Sequence, residues 1–232
     1  MFALINALTT QISAMWSFII DPNNDFIGET NSFVQLCGVS IAVAILIGVV
    51  LGAAVSRNSI LAFIAVNLSG IMRAIPVIAF LIAVLPYLGV GFTPSVVALI
   101  ILGIPPVLLN TIAGIRGIDP AIIDAAKGMG MTNLQIIWSI QTPLVLPILA
   151  AGIRTSAVQV IATAPLAAYI NGRGYGDYIV DGLNLFNTTE ILVGALAVAL
   201  LAIIVEVCMS WLQRLLTPAG LRVREAGNLA TV

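Results

Sequence analysis

The sequence predicts an all-α integral membrane protein with about five transmembrane helices. Three observations carry that expectation. Of 232 residues, 60% are hydrophobic and only 8% are charged, where a soluble domain carries roughly 25% charged residues. Mean hydropathy is +1.14. Several apolar stretches also reach the roughly 20 residues, at about 1.5 Å rise each, that a helix needs to cross a bilayer.

Composition removes several function classes. Net charge is −1 and no basic groove or stripe is present, so nucleic acid is not an expected partner. There is no His, the commonest general base and metal ligand. Cys37 and Cys208 lie far apart in apolar runs and read as small buried hydrophobes rather than a disulfide or metal pair. A hydrolytic or metal enzyme is therefore not expected, and the chain is expected to bind no cofactor itself.

Taken in order, residues 1–32 form an external N-terminal segment. The first 20 residues lack the positive start of a cleavable signal peptide, and Asn6, Thr9, Thr10, Gln11 and Ser13 interrupt their apolar pattern. They read as a short interfacial helix. A transmembrane domain follows over 33–213, with spans expected at 33–55, 60–85, 94–115, 143–165 and 189–213. Residues 214–232 form a tail.

Charge sets the orientation. Arg57, Arg116, Lys127, Arg214, Arg222 and Arg224 fall at one set of helix ends. Asp21, Asp25, Glu29, Asp177, Asp181 and Glu190 fall at the other, with Arg173 as the only cation there. The positive-inside rule places the N-terminus outside and the C-terminal tail in the cytoplasm. The segment 116–142 then lies inside and 166–188 outside.

The middle spans hold helix breakers: Pro76, Pro105, Pro106, Pro143, Pro147 and Pro165. Each removes a backbone donor, and a broken helix survives in lipid only where protein or water satisfies the freed carbonyls. Tight packing through small residues and a lined pathway both fit. Arg73, Arg154 and Glu206 are ionisable within the spans. Such residues pair or face a cavity: Arg154 could pair with Glu206 or line the route. Arg73, beside Pro76, and Asn110 face the same choice. At the outer mouth, Tyr169 and Tyr175 stand in a segment with Gly172, Gly174 and Gly176, which reads as a glycine-rich turn or re-entrant stretch and not a nucleotide loop. Arg73, Pro76, Asn110, Arg154, Tyr169 and Tyr175 are the candidate pathway and gate residues.

The one long wet stretch runs from Asp119 to Pro147. Asp119-Pro120 is an N-cap followed by Pro at the first helical position. Gly128 and Gly130 interrupt a short helix before a second begins near 132. Asp124, Ala125, Ala126, Lys127, Gly128, Met129, Gly130 and Met131 are the candidate docking residues. Ala125 and Ala126 are small enough for another protein to approach closely.

The pattern Asp124-Ala125-Ala126, three residues, Gly130, nine residues, Ile140, then Pro143 resembles the EAA loop of ABC importer permeases, Glu-Ala-Ala-x3-Gly-x9-Ile-x-Leu-Pro. Asp124 stands for Glu and Thr142 for Leu. Ala74-Ile75-Pro76, Leu88-Gly89-Val90-Gly91, the run from Leu109 to Ile115, Gly128-Met129-Gly130-Met131, Ala151-Gly152-Ile153-Arg154-Thr155 and the run from Ile170 to Asp177 are similar to the osmoprotectant branch of that family. Asn171, Arg173 and Tyr175 depart from the branch, which more often has Gly, Ala or Gly, and Leu there.

The resemblance implies a MetI-like permease fold in the inner (plasma) membrane of a prokaryote. It implies a route for glycine betaine, choline or carnitine, or, alternatively, for an amino acid or other small cation. It implies as partners two cytoplasmic ATPase subunits, a second permease subunit and an external substrate-binding protein. No phosphate-binding G-x-x-x-x-G-K-[ST] motif is present, so ATP and magnesium belong to the ATPase subunits. A secondary transporter is the rival from another class, and would be expected to show a doubled repeat with matching broken helices.

Overall fold

The computed structural model describes residues 2–216, and every regular element among them is helical. Four stretches are long and apolar enough to cross a bilayer: Pro22–Ser56, Phe92–Arg116, Asn133–Ile170 and Thr188–Leu215. A bent pair of helices, Ser59–Ala74 with Val77–Leu88, makes a fifth when counted as one span. The C-terminal tail expected from 214, with Arg222 and Arg224, lies outside the described residues from 217 onward.

Helix α1 (Phe2–Ile20) absorbs the polar residues that interrupt its pattern. Thr9 and Thr10 donate to the Asn6 carbonyl, Ser13 to Thr10 and Ser17 to Ala14, at 2.8–2.9 Å. Hydroxyls bonded to their own helix expose little polarity. Ile12, Trp16 and Ile20, spaced four apart, remain as an exposed apolar face. Asp21 then caps a tight turn at Pro22–Asn24, and Asp25, left-handed at φ 43°, caps α2 (Phe26–Ser56) through the Gly28 N–H.

The second expected span, 60–85, is not one helix. Helix α3 (Ser59–Ala74) starts on an Asn58 cap whose Oδ1 accepts from the Ile60 and Leu61 N–H groups. It stops at Ile75, extended at ψ 123°, as a residue before proline prefers. Helix α4 (Val77–Leu88) leaves at 93° to it. The same residue type has a different outcome in α5 (Phe92–Arg116), which runs unbroken through Pro105 and Pro106. The neighbours decide. Ile75 and Pro76 are exposed, whereas Pro105 and Pro106 are buried. Those two prolines leave the carbonyls of Ile101 and Leu102 without their usual donors, and Ser156, fully buried on a neighbouring helix, donates to the adjacent Gly103 carbonyl at 2.7 Å.

Past α5 come α6 (Pro120–Gly128), α7 (Asn133–Ile136), a π turn at Ile137–Gln141 and α8 (Thr142–Thr163). A tight helical stretch, Ala164–Ile170, leads to α9 (Tyr175–Asn184) and α10 (Thr188–Leu216). Helix α5 is the centre, packed between α2 and α8, with α10 on the far side of α8. Backbones approach closely there: Gly48 and Gly52 of α2 lie on Val107 and Thr111, and Gly152 of α8 lies on Asn110. The main apolar cluster gathers Phe33, Leu36, Leu99, Val160, Ile161, Tyr175 and Tyr178. Cys37 sits in it as expected, but Cys208 is exposed. Its helix, α10, turns Ile204, Val207 and Trp211 outward as well.

A Cβ on Gly152 would stand 2.5 Å from Asn110 Cβ and 2.9 Å from the Pro106 carbonyl oxygen, whereas one on Gly38 meets nothing within 4 Å. Gly152→Ala is therefore expected to destabilise the bundle by about 1–3 kcal/mol through overpacking, read as a lower Tm in detergent. Gly38→Ala should not lower Tm; equal effects of the two would contradict the packing account.

Candidate functional site

The wet stretch folds as two short helices around one glycine corner. Asp119 accepts from the Ala121 N–H at 2.9 Å and starts α6. At its end the Gly130 N–H donates to the Lys127 carbonyl and the Met131 N–H to the Ala126 carbonyl, the paired bonds of a Schellman stop. That stop needs a left-handed residue, and Gly130 has φ 79° with open space where a Cβ would be. Thr132 and Gln135 cap α7 reciprocally. This Thr-x-x-Gln box was legible in the sequence but was not singled out there.

Among the candidate docking residues, Ala126 is buried, and so is Ile136 of α7 beyond them. Asp124, Ala125, Lys127, Gly128, Met129 and Gly130 are exposed and Met131 is half-buried. Of the Ala pair, only Ala125 is open to another protein. Asp124 and Lys127 stand 3.8 Å apart, both largely in solvent, a pair that contributes little and leaves both side chains available. Thr142, which departs from the family's Leu, has a local use: its hydroxyl donates to the Ile137 carbonyl at 2.9 Å across the π turn.

The candidate pathway residues do not form one cluster. Arg73 and Pro76 are exposed at the α3–α4 elbow. Asn110 donates to its own helix at the Pro106 carbonyl, 2.8 Å. Arg154 reaches α10, 3.5 Å from Glu206 and 2.9 Å from the Ser210 hydroxyl. Tyr169 is exposed, while Tyr175 is buried with its hydroxyl on Thr30 at 3.0 Å.

At the opposite end from α6 lies an open cleft of about 520 Å³, lined by Asp25, Glu29, Asp177, Asp181 and Glu190 around Arg173. Arg173 stands 3.6 Å from Glu29, whose Oε2 is buried without a hydrogen-bond partner among the described residues. No local pattern could have shown this contact between α2 and the segment before α9. The backbone bears on two of the departures noted in the sequence. Asn171 and Arg173 are left-handed, at φ 59° and 48°, a conformation glycine adopts freely. Asn tolerates it, and Arg carries a strain of about 1–2 kcal/mol, opposed here by its ion pair with Glu29.

At this end of the bundle the aromatics pack together. Phe33 and Tyr175 lie 4.9 Å apart, Phe18 and Tyr178 5.4 Å, and Phe26 stacks on Tyr178 at 6.2 Å. Phe33, Tyr175 and Tyr178 are buried, so the group is a packed core and not an open cage. Tyr178 also donates to the Asn24 carbonyl at 2.6 Å, and burial followed by Glu29 pushes its phenol well up. Burial, then the Glu29 charge, raises Asp177 to about 6.

Comparison with known proteins gives a consistent answer. Residues 44–220 match the family model described as "Binding-protein-dependent transport system inner membrane component". The chain is 37% identical over 94% of its length to the whole of the carnitine transport permease protein OpuCB of Listeria monocytogenes. It is 35% identical, over 91% of its length and 97% of the relative's, to the glycine betaine/carnitine/choline transport system permease protein OpuCB of Bacillus subtilis. Among solved structures it resembles a chain of the inward-facing MetNI methionine ABC transporter at TM-score 0.75 and 18% identity, covering 83% of this chain and 96% of that one; at that identity the likeness is one of fold.

The raised Asp177 gives a pH prediction with a definite sign. The folded state keeps this proton up to about pH 6, and the unfolded chain loses it near the usual 3.8. The folded state binds more protons in that interval, so its stability falls as pH rises through it. Asp177→Asn should raise the Tm at pH 7.5 and remove this residue's share of the gain on going to pH 5. A Tm unchanged by the substitution at pH 7.5 would contradict the assignment.

Proposed function

Because the chain belongs to the family of binding-protein-dependent transport system inner membrane components, we propose that it passes an osmoprotectant, such as glycine betaine, choline or carnitine, across the membrane. It is a multi-pass permease subunit of an ABC importer in the inner membrane. Near-full-length identity to permeases named for these amines supports the solute class. The single observation that supports the mode of action is α6, a capped helix between two spans that presents Asp124, Ala125, Lys127 and Met129 outward.

In this reading α6 docks in a groove of a separate ATPase subunit that holds ATP and magnesium. Closure of two such ATPases draws the inner ends of two permease subunits together, and the route alternates between outward and inward access. An external binding protein delivers the solute. The chain runs from an external N-terminus to a cytoplasmic C-terminus. Arg57, Arg116, Lys127 and Arg214 support this, since they stand at the α6 end of the helices while the acids gather at the cleft. With its aromatics packed into the core, the permease offers a low-affinity route, and selection rests with the binding protein.

Purification from the native membrane in mild detergent is expected to bring down a nucleotide-hydrolysing subunit. Proteoliposomes of that assembly with its binding protein should take up labelled glycine betaine, choline or carnitine only with MgATP. Uptake driven by an ion gradient without ATP would overturn the reading.

Gly130→Val tests the coupling segment separately. The left-handed backbone resists a β-branched residue, so the corner between α6 and α7 should misform while the spans still insert. Stimulation of ATP hydrolysis by solute-loaded binding protein is expected to be lost. Normal stimulation in that variant would remove α6 from the mechanism.

A further inference from the structure

The register of α8 against α10 gives the depth of one polar side chain that no pairing accounts for. The two helices run antiparallel, with Arg154 on Glu206 and the Pro147 carbonyl accepting from Gln213. Each step up α8 is thus one step back along α10, which puts Gln159 level with Leu201. Leu201 lies midway between Glu190, at the acidic cleft, and the exposed Trp211 at the other end. It is about 15 Å from each at 1.5 Å per residue. Two such lengths are the roughly 30 Å of a bilayer's hydrocarbon, so Gln159 lies at the midplane.

At that depth an amide without a partner is costly. The Thr163 hydroxyl donates to the Gln159 backbone carbonyl, but the Gln159 side chain has no hydrogen-bond partner among the described residues. It shares a face of α8 with Thr155 and Ala162, spaced four and three residues apart, and both are exposed. The other faces of α8 are occupied: Gly152, Ser156 and Val160 meet α5, and Arg154 meets α10. Lipid would leave the amide unsatisfied, whereas a water-filled route would not. Thr155 donates to its own helix at the Ala151 carbonyl, and its oxygen can still accept.

Resting on the transport reading above, we propose that Gln159, with Thr155 one turn below, lines the translocation route at the bilayer midplane. The amide N–H₂ there donates to the carboxylate or hydroxyl of the passing solute. The contact is neutral, so it orients a zwitterion or cation without holding it as a charged side chain would.

The assembled transporter in proteoliposomes, carrying Cys208→Ala, tests this through Gln159→Cys and a control, Leu200→Cys, on an exposed apolar position of α10 one residue from the level of Gln159. A membrane-impermeant methanethiosulfonate should modify the cysteine at 159 at least tenfold faster than the one at 200, in either the nucleotide-free or the ATP-trapped state. Glycine betaine should slow that modification. Modification at 159 no faster than at 200 in both states overturns the proposal, placing the residue against lipid or the second permease. Gln159→Leu should cut glycine betaine uptake at least tenfold while ATP hydrolysis still responds to loaded binding protein; unchanged uptake also overturns it. A wild-type assembly that takes up none of the three amines sinks the solute assignment and leaves the labelling result standing.

Discussion

Inside a bilayer the carbonyls freed by Pro105 and Pro106 have no water to turn to, and the bundle is arranged around the helix that carries them. Helix α5 runs unbroken through both prolines, and it is enclosed. The α2 glycines bring a backbone against Val107 and Thr111, and α8 brings Gly152 against Asn110 and the Ser156 hydroxyl against the Gly103 carbonyl. Where the same residue type lacks such neighbours, at Pro76, the chain turns by 93° instead. Enclosure thus accompanies an unbroken helix at the centre, and exposure a bent one at the flank.

The two ends of the bundle are built differently. The end that carries α6 is capped locally: an Asp cap, a glycine stop and a Thr–Gln box shape the segment from Asp119 to Ile136. The end that carries the cleft is assembled from afar, with Glu29 of α2 meeting Arg173, and Tyr175 and Tyr178 reaching Thr30 and Asn24. A compact segment such as the first can be gripped as a unit. The aromatic and ionic contacts at the cleft end tie α1, α2 and α9 together.

This contrast explains what could be read from the residues alone. Hydropathy located the spans at 94–115 and 189–213 nearly to their ends, because length and apolarity are local properties. Residues 116–142 were legible as helix, glycine turn and helix, since caps and stops are local too. The 93° elbow was not legible: Pro76 and Pro105 look alike until their neighbours are known. Nor were the burial of Ala126, the exposure of Cys208 or the aromatic packing around Tyr178, each set by which helix lies opposite. Gln159 was passed over because a lone amide in an apolar run gives no signal until the α8–α10 register fixes its depth.

In the proposed mechanism α6 is the contact through which a separate ATPase drives this permease. Photo-crosslinking from a probe amino acid at position 125 in the assembled transporter tests it most directly, with position 186, exposed at the opposite end, as the control. A nucleotide-sensitive crosslink to the ATPase subunit is expected from 125 and none from 186. A crosslink from 186, or none from 125 in an assembly that hydrolyses ATP, would contradict it.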